Sequence, residues 1–132
     1  MEEDLIIEIG RTLKKAAQTQ EGDWDYAGYM FETKDGVSSG GEMFRFHTGK
    51  RISFRLGRDM KTITTAFKQL REITRVDGDD YWIKVLFVLR SDGEMKFLFE
   101  FDDWDRWKIT PANVDQAYQI LVGDVFPGAL AN

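Results

Sequence analysis

The sequence predicts an α+β domain in which an antiparallel sheet of five to six strands packs against three helices, in the order α-β(3-4)-α-β(2)-α. Three observations carry that expectation. Apolar residues return at helical spacing in three separate stretches, near the start, the middle and the end of the chain. Between them lie aromatic-rich or alternating segments bounded by turn residues, the pattern of strands. Connections are short, no repeat or low-complexity segment intervenes, and both prolines, Pro111 and Pro127, fall outside the strand segments. With 132 residues, 42% of them hydrophobic, the whole of 1–132 reads as one domain with a substantial core.

Leu5, Ile6, Ile9, Leu13, Ala16 and Ala17 define the apolar stripe of a first helix, with Gly22 as its stop. Trp24 to Phe31 and Val37 to Phe46 form a hairpin around Thr33-Lys34-Asp35-Gly36, and Gly40-Gly41 marks a bulge or bend. Arg51 to Leu56 alternates as a half-exposed strand. Met60, Ile63, Phe67 and Leu70 restore the helical period, with Asp59 at the cap position and Arg71 and Arg75 near the end, where cations favour the helix dipole. Asp77 to Asp80 form a turn. Thr110-Pro111 starts the last helix, which runs through Val114, Ala117, Tyr118 and Leu121 to Gly123.

The segment from Tyr81 to Trp107 is a second hairpin whose register follows from its turn. A three-residue Ser91-Asp92-Gly93 loop, with Gly93 in the left-handed region, sets Arg90 against Glu94. Leu89 then meets Met95, Phe87 meets Phe97, Val85 meets Phe99 and Ile83 meets Phe101, an apolar face throughout. On the other face Leu86 meets Leu98, Lys84 meets Glu100 and Trp82 meets Asp102. A two-residue loop would set Val85 against Glu100, which the period of two disfavours. Trp24, Trp82, Phe87, Phe97, Phe99 and Phe101 are expected in the core.

Charge is segregated along the chain. Residues 77–105 hold nine acids and three bases, a balance of −6 in a chain of net charge −5. Residues 44–75 are basic, with nine bases and two acids. The absence of cysteine excludes disulfides and thiolate chemistry. The acidic Met1-Glu2-Glu3-Asp4 is unlike a secretory signal, and no run approaches a membrane span, so a cytoplasmic protein without membrane contact is expected.

Few residues look equipped for chemistry. Glu100 and Asp102 on one strand face would lie about 7 Å apart, a spacing open to a paired-acid hydrolase or a divalent metal. Yet Lys84 and Trp82 face them, which favours a structural or partner-binding role. His47, the only histidine, reads as an exposed turn residue. Gly49-Lys50 is no phosphate loop, since Phe44 stands where the upstream glycine belongs and Arg51 where the hydroxyl belongs. Arg45, Arg51, Arg55, Arg58 and Lys61 could line a nucleic-acid stripe. A sequence pI of 4.9 and two acidic flanks argue instead for internal pairing and solvation. Trp104 and Trp107 divide between interface and core, with Trp104 the better interface candidate and Trp107 the better core candidate.

Gly22-Asp23-Trp24, Phe67-Lys68-Gln69-Leu70-Arg71, Trp82, Asp92-Gly93-Glu94 and Phe99-Glu100-Phe101-Asp102-Asp103, in this order of elements, resemble the YezG-like immunity proteins over roughly Leu5 to Leu121. These are bacterial antitoxins that bind and neutralise polymorphic or contact-dependent toxins. The resemblance implies an α-β(4)-α-β(2)-α arrangement, with one more strand before Asp59 than the pattern shows. It also implies a non-enzymatic protein with no cofactor, whose partner is a toxin domain, and Trp104-Asp105-Arg106-Trp107 is expected to be specific to that partner. Together with the charge pattern, it puts the partner-binding residues at Asp79, Asp80, Glu100, Asp102, Asp103, Trp104 and Asp105. A basic nuclease toxin would be drawn to them by a monomer or weak dimer of this chain.

Overall fold

Residues 2–36, 39–75 and 81–130 are described in a computed structural model, and they form an α+β fold built on one five-stranded antiparallel sheet. The order is α1 (Glu2–Thr19), β1 (Tyr26–Thr33), β2 (Ser39–His47), β3 (Lys50–Ile52), α2 (Asp59–Ile73), β4 (Lys84–Arg90) and β5 (Met95–Glu100). Three strands precede α2. The strands lie side by side as β3-β2-β1-β4-β5. Among the described residues, no helix is long and apolar enough to cross a membrane.

Both faces of the sheet are covered. Ile9 and Leu13 of α1, with Ile63, Phe67 and Leu70 of α2, pack on Ala27, Tyr29, Phe31, Val85, Phe87 and Leu89. Beneath the sheet, Tyr26, Met30, Phe44, Phe46, Leu86 and Val88 meet Trp107, Leu121, Val122 and Phe126 from the C-terminal segment. That explains why Val85 to Leu89 is an unbroken apolar run: a strand buried on both faces has no polar side. Trp24 packs at the edge of the upper core, while Trp82 is buried and stacks on Phe99 with ring centres 5.4 Å apart.

The hairpin register is the expected one from Leu89↔Met95 through Val85↔Phe99 to Lys84↔Glu100. Gly93 takes φ +100°, and the Arg90 amide donates to the Glu94 carbonyl at 2.8 Å. The ladder stops there. Ile83↔Phe101 and Trp82↔Asp102 do not form, and Phe101, expected in the core, is 53% exposed.

Other expectations need correction. Gly40-Gly41 makes no bulge, since pairing runs unbroken from Tyr26↔Phe46 to Thr33↔Ser39. Gly41 is needed for close approach instead, because a Cβ there would lie 1.9 Å from the Met30 carbonyl oxygen. β3 is cut short after Ile52: Arg45 Nε takes the Ser53 carbonyl at 3.0 Å, and Gln20 Oε1 takes the Arg55 amide at 2.9 Å. The backbone there bonds to side chains rather than to a strand, and Phe54 and Leu56 turn into the upper core. Asp59 begins α2 rather than capping it. Arg71 does lie in the last turn of α2, where it is buried with Nε donating to the Trp82 carbonyl at 2.8 Å.

The last helical segment is broken into a 3-10 turn at Val114–Gln116 and a π-helical turn at Tyr118–Val122. Asn113 interrupts its start, accepting the Thr110 amide at 2.7 Å and donating to the Lys108 carbonyl at 2.8 Å. A further 3-10 turn spans Pro127–Leu130.

Candidate functional site

The antiparallel ladders bring the end of β1, the start of β2, the start of β4 and the end of β5 to one end of the sheet. The chain leaves β5 there in a tight acidic turn over residues 100–107, which holds Glu100, Asp102, Asp103, Trp104 and Asp105 together. Asp79 and Asp80, and the whole of the Asp77 to Asp80 turn, lie outside the described residues.

Glu100 builds this turn. Its Oε2 accepts the amides of Phe101, Asp102 and Asp103 at 3.1, 3.2 and 3.1 Å, and its Oε1 accepts Arg106 Nη1 at 2.8 Å. Three successive amides on one carboxylate oxygen curl the chain away from the strand. The Arg106 guanidinium, backed by those amides, holds the Glu100 carboxyl down at about 2. Asp102 moves the other way, its carboxyl raised by its hydrogen bond to Glu100 and by that group's charge. Asp103 Oδ1 accepts the Asp105 amide at 2.9 Å, a local Asx turn.

The turn is tied down from beneath. Arg106 Nη2 reaches Asp124 Oδ2 at 3.1 Å, and the same oxygen accepts Trp107 Nε1 at 2.6 Å. The Arg106 guanidinium lies 4.4 Å from the Trp107 ring centre. Trp107 is 3% exposed and held at φ +62°, a left-handed conformation that a tryptophan adopts only when its surroundings impose it. Lys84, also buried, donates to the Arg106 carbonyl at 3.0 Å. Lys84 therefore faces Glu100 along the ladder, as expected, but the ion pair belongs to Arg106.

What remains outward is Asp102, Asp103 and Asp105, with the rings of Phe101 and Trp104 at 53% and 41% exposure. Trp104 also closes a surface depression of about 230 Å³, with Glu32, Thr33, Lys34, Ser39 and Gly40 of the β1–β2 end as its other walls. Trp104 and Trp107 thus part as expected, one to solvent and one to the core. Phe101 is an exposed ring that sequence reasoning missed. So is the clamp of Arg106, Asp124 and Trp107, whose only signal was an arginine inside an acidic run.

The paired-acid reading loses its geometry here. The strand ends at Glu100, so Glu100 and Asp102 do not sit two apart on one face, and both Glu100 oxygens are taken by protein donors. Among the described residues, no three His, Asp or Glu side chains are arranged to hold a metal ion. His47 ends β2 partly exposed, its Nδ1 3.5 Å from Asp25 Oδ1 without a hydrogen bond. The basic stripe is dismantled as well. Arg45 is buried among carbonyls and Arg51 pairs with Glu42 at 2.8 Å, leaving Arg55, Arg58 and Lys61 exposed. No protein-family model matches this chain, and no curated protein matches it.

Proposed function

We propose that the chain is an immunity protein that binds a cognate bacterial toxin domain in the cytoplasm and blocks it by occlusion, the toxin being a nuclease with a basic substrate surface. One observation supports this above others: two exposed aromatic rings, Phe101 and Trp104, stand among three outward carboxylates on a turn already fixed by the Glu100–Arg106–Asp124 clamp. Aromatic side chains are the usual energetic centre of protein interfaces, and a fixed turn loses little freedom on binding. Asp102, Asp103 and Asp105 would meet the lysines and arginines with which such a toxin holds phosphates. Charge steering of this kind can bring association to ~10⁸ M⁻¹s⁻¹ at low salt.

The test is protection of a sensitive host from the toxin domain encoded beside this chain. The parent should protect, and Asp102→Lys with Asp103→Lys should abolish protection while melting as the parent does, since surface charge changes usually cost less than about 0.5 kcal/mol. Trp104→Ala should weaken binding by about thirtyfold, the effect of one interface hot spot. Normal melting with undiminished protection in the double variant would show that this turn is not the binding surface.

A further inference from the structure

At the opposite end of the sheet a second site has the makings of a small-anion pocket. Its volume is about 310 Å³, and it is lined by Tyr26, Arg90, Lys96, Phe126 and residues 127–129. The fold assembles it from three strands. Tyr26 pairs with Arg90 across β1 and β4, and Lys96 pairs with Val88 across β4 and β5, so all three side chains emerge on the lower face. Phe126 from the C-terminal segment closes the top, its ring centre 4.8 Å from Lys96 Nζ and 5.5 Å from the Arg90 guanidinium carbon.

The observation that points to a ligand is the Tyr26 hydroxyl. The residue is only 9% exposed, its ring held between Phe126 and Tyr118 at centre distances of 5.3 and 6.1 Å. Its hydroxyl has no hydrogen-bond partner among the described residues. Nor is it sealed away, because among those residues the only sealed side-chain polar atom without a partner is His47 Nδ1. Tyr26 lines the pocket, so its hydroxyl, without a protein partner among the described residues, is open to an acceptor that enters. Lys96 brings an ammonium that has no carboxylate partner among the described residues. Arg90 spends Nε and Nη2 on Asp92 and Glu94, leaving Nη1 unengaged among the described residues.

We infer that this pocket binds a carboxylate carried on a small planar apolar body. Three donors, the Tyr26 hydroxyl, the Lys96 ammonium and Arg90 Nη1, belong to residues that line this one small pocket and would serve a single anionic group, while the Tyr26 and Phe126 rings in its wall offer apolar surface to what that group is attached to. Asp92 and Glu94 offset much of the local positive charge, which disfavours a doubly charged phosphate and suits a single negative charge.

Benzoate is the probe, titrated into the labelled full chain and followed by amide and side-chain NMR shifts, with acetate and inorganic phosphate in parallel. Benzoate should saturate with a Kd on the order of 1 mM, shifting Tyr26, Lys96 and residues 126–129, and acetate should bind more weakly. Tyr26→Phe and Lys96→Gln, both checked for parental melting, should each weaken benzoate by about fivefold to tenfold. No saturation by about 20 mM, or parental affinity in both variants, would overturn the inference. Phosphate binding more tightly than benzoate would overturn the carboxylate assignment. The acidic turn lies at the other end of the sheet, so neither outcome touches its role.

Discussion

Replacing Glu100 by Gln isolates the charge at the heart of the acidic turn. Glutamine keeps the length of the side chain and a carbonyl oxygen for the three amides, but loses the ionic half of the bond to Arg106. The Glu100 carboxyl moves from its ordinary 4.5 to about 2, which corresponds to about 3 kcal/mol of preference for the charged form. Arg106 is 35% exposed, so water screens the pair, and the raised Asp102 carboxyl works in the opposite direction. A net stabilisation of about 1–2 kcal/mol is the better expectation. A depressed pKa stabilises the fold fully above the unfolded-state value near 4.5, and that stabilisation drains away as pH falls toward about 2. Urea unfolding should therefore show Glu100→Gln weaker by about 1–2 kcal/mol at pH 7, and by less than about 1 kcal/mol at pH 3.5. Urea is the right denaturant because guanidinium salt would screen the pair under test. A gap of equal size at both pH values, or a Glu100 carboxyl titrating near 4.5 by NMR, would refute the clamp. The same variant checks the rival enzyme: metal-dependent hydrolysis in the parent that vanishes in Glu100→Gln would displace the immunity reading.

Two further substitutions probe the frame behind the site. Arg45→Met should cost about 2–4 kcal/mol by thermal melting, and Arg45→Lys should not restore it, because one ammonium cannot span the Ser53 carbonyl and those of Ala17 and Glu21 at once. A melting temperature within about 3 °C of the parent in Arg45→Met would contradict this. Val85→Lys should unfold the domain by placing an unpaired ammonium in the fully buried upper core, whereas Arg90→Ala should stay within about 0.5 kcal/mol of the parent. Soluble, cooperatively folding Val85→Lys protein would show that this face is not core.

The parts of this fold that could be read from sequence are those fixed locally. The register of β4 and β5 follows from a three-residue turn and a period of two, and α1 and α2 follow from a period of 3.6. What could not be read depends on partners distant in sequence. The strand expected over Arg51 to Leu56 is cut short after Ile52 because Gln20 and Arg45, distant in sequence, bond to its backbone. The expected last helix breaks into short turns wrapped over the lower sheet face, where Trp107, Leu121 and Phe126 pack as individual side chains. For the site, the segment was legible and its geometry was not. Acidic residues beside tryptophans marked 100–107, but the pairing of Arg106 with Asp124, eighteen residues on, has no local signature. Lys84 opposite Glu100 looked like the natural ion pair. It fails because the turn's own arginine reaches Glu100 first and offers Lys84 a carbonyl instead.

The buried cations share one chemistry, and it bears on how the acidic turn would act. Arg45 gathers the carbonyls of Ala17, Gln20, Glu21 and Gly22 where α1 ends, Arg71 takes that of Trp82 ahead of β4, and Lys84 takes that of Arg106. Each uses the unpaired carbonyls that chain ends and turns leave behind, so each ties a connection to the body of the fold. Each also withdraws a positive charge from contact with solvent. The formal net charge of −5 therefore understates how acidic the reachable surface is, most of all around residues 102–105, where Lys84 lies beneath the turn and Arg106 is engaged by Glu100 and Asp124. A basic partner would meet three outward carboxylates on a turn whose conformation these internal bonds already set. The ordering that a loop normally undergoes on binding would thus be complete before such an encounter, and on the proposed function the long-range attraction of the acids would convert into affinity with little conformational loss.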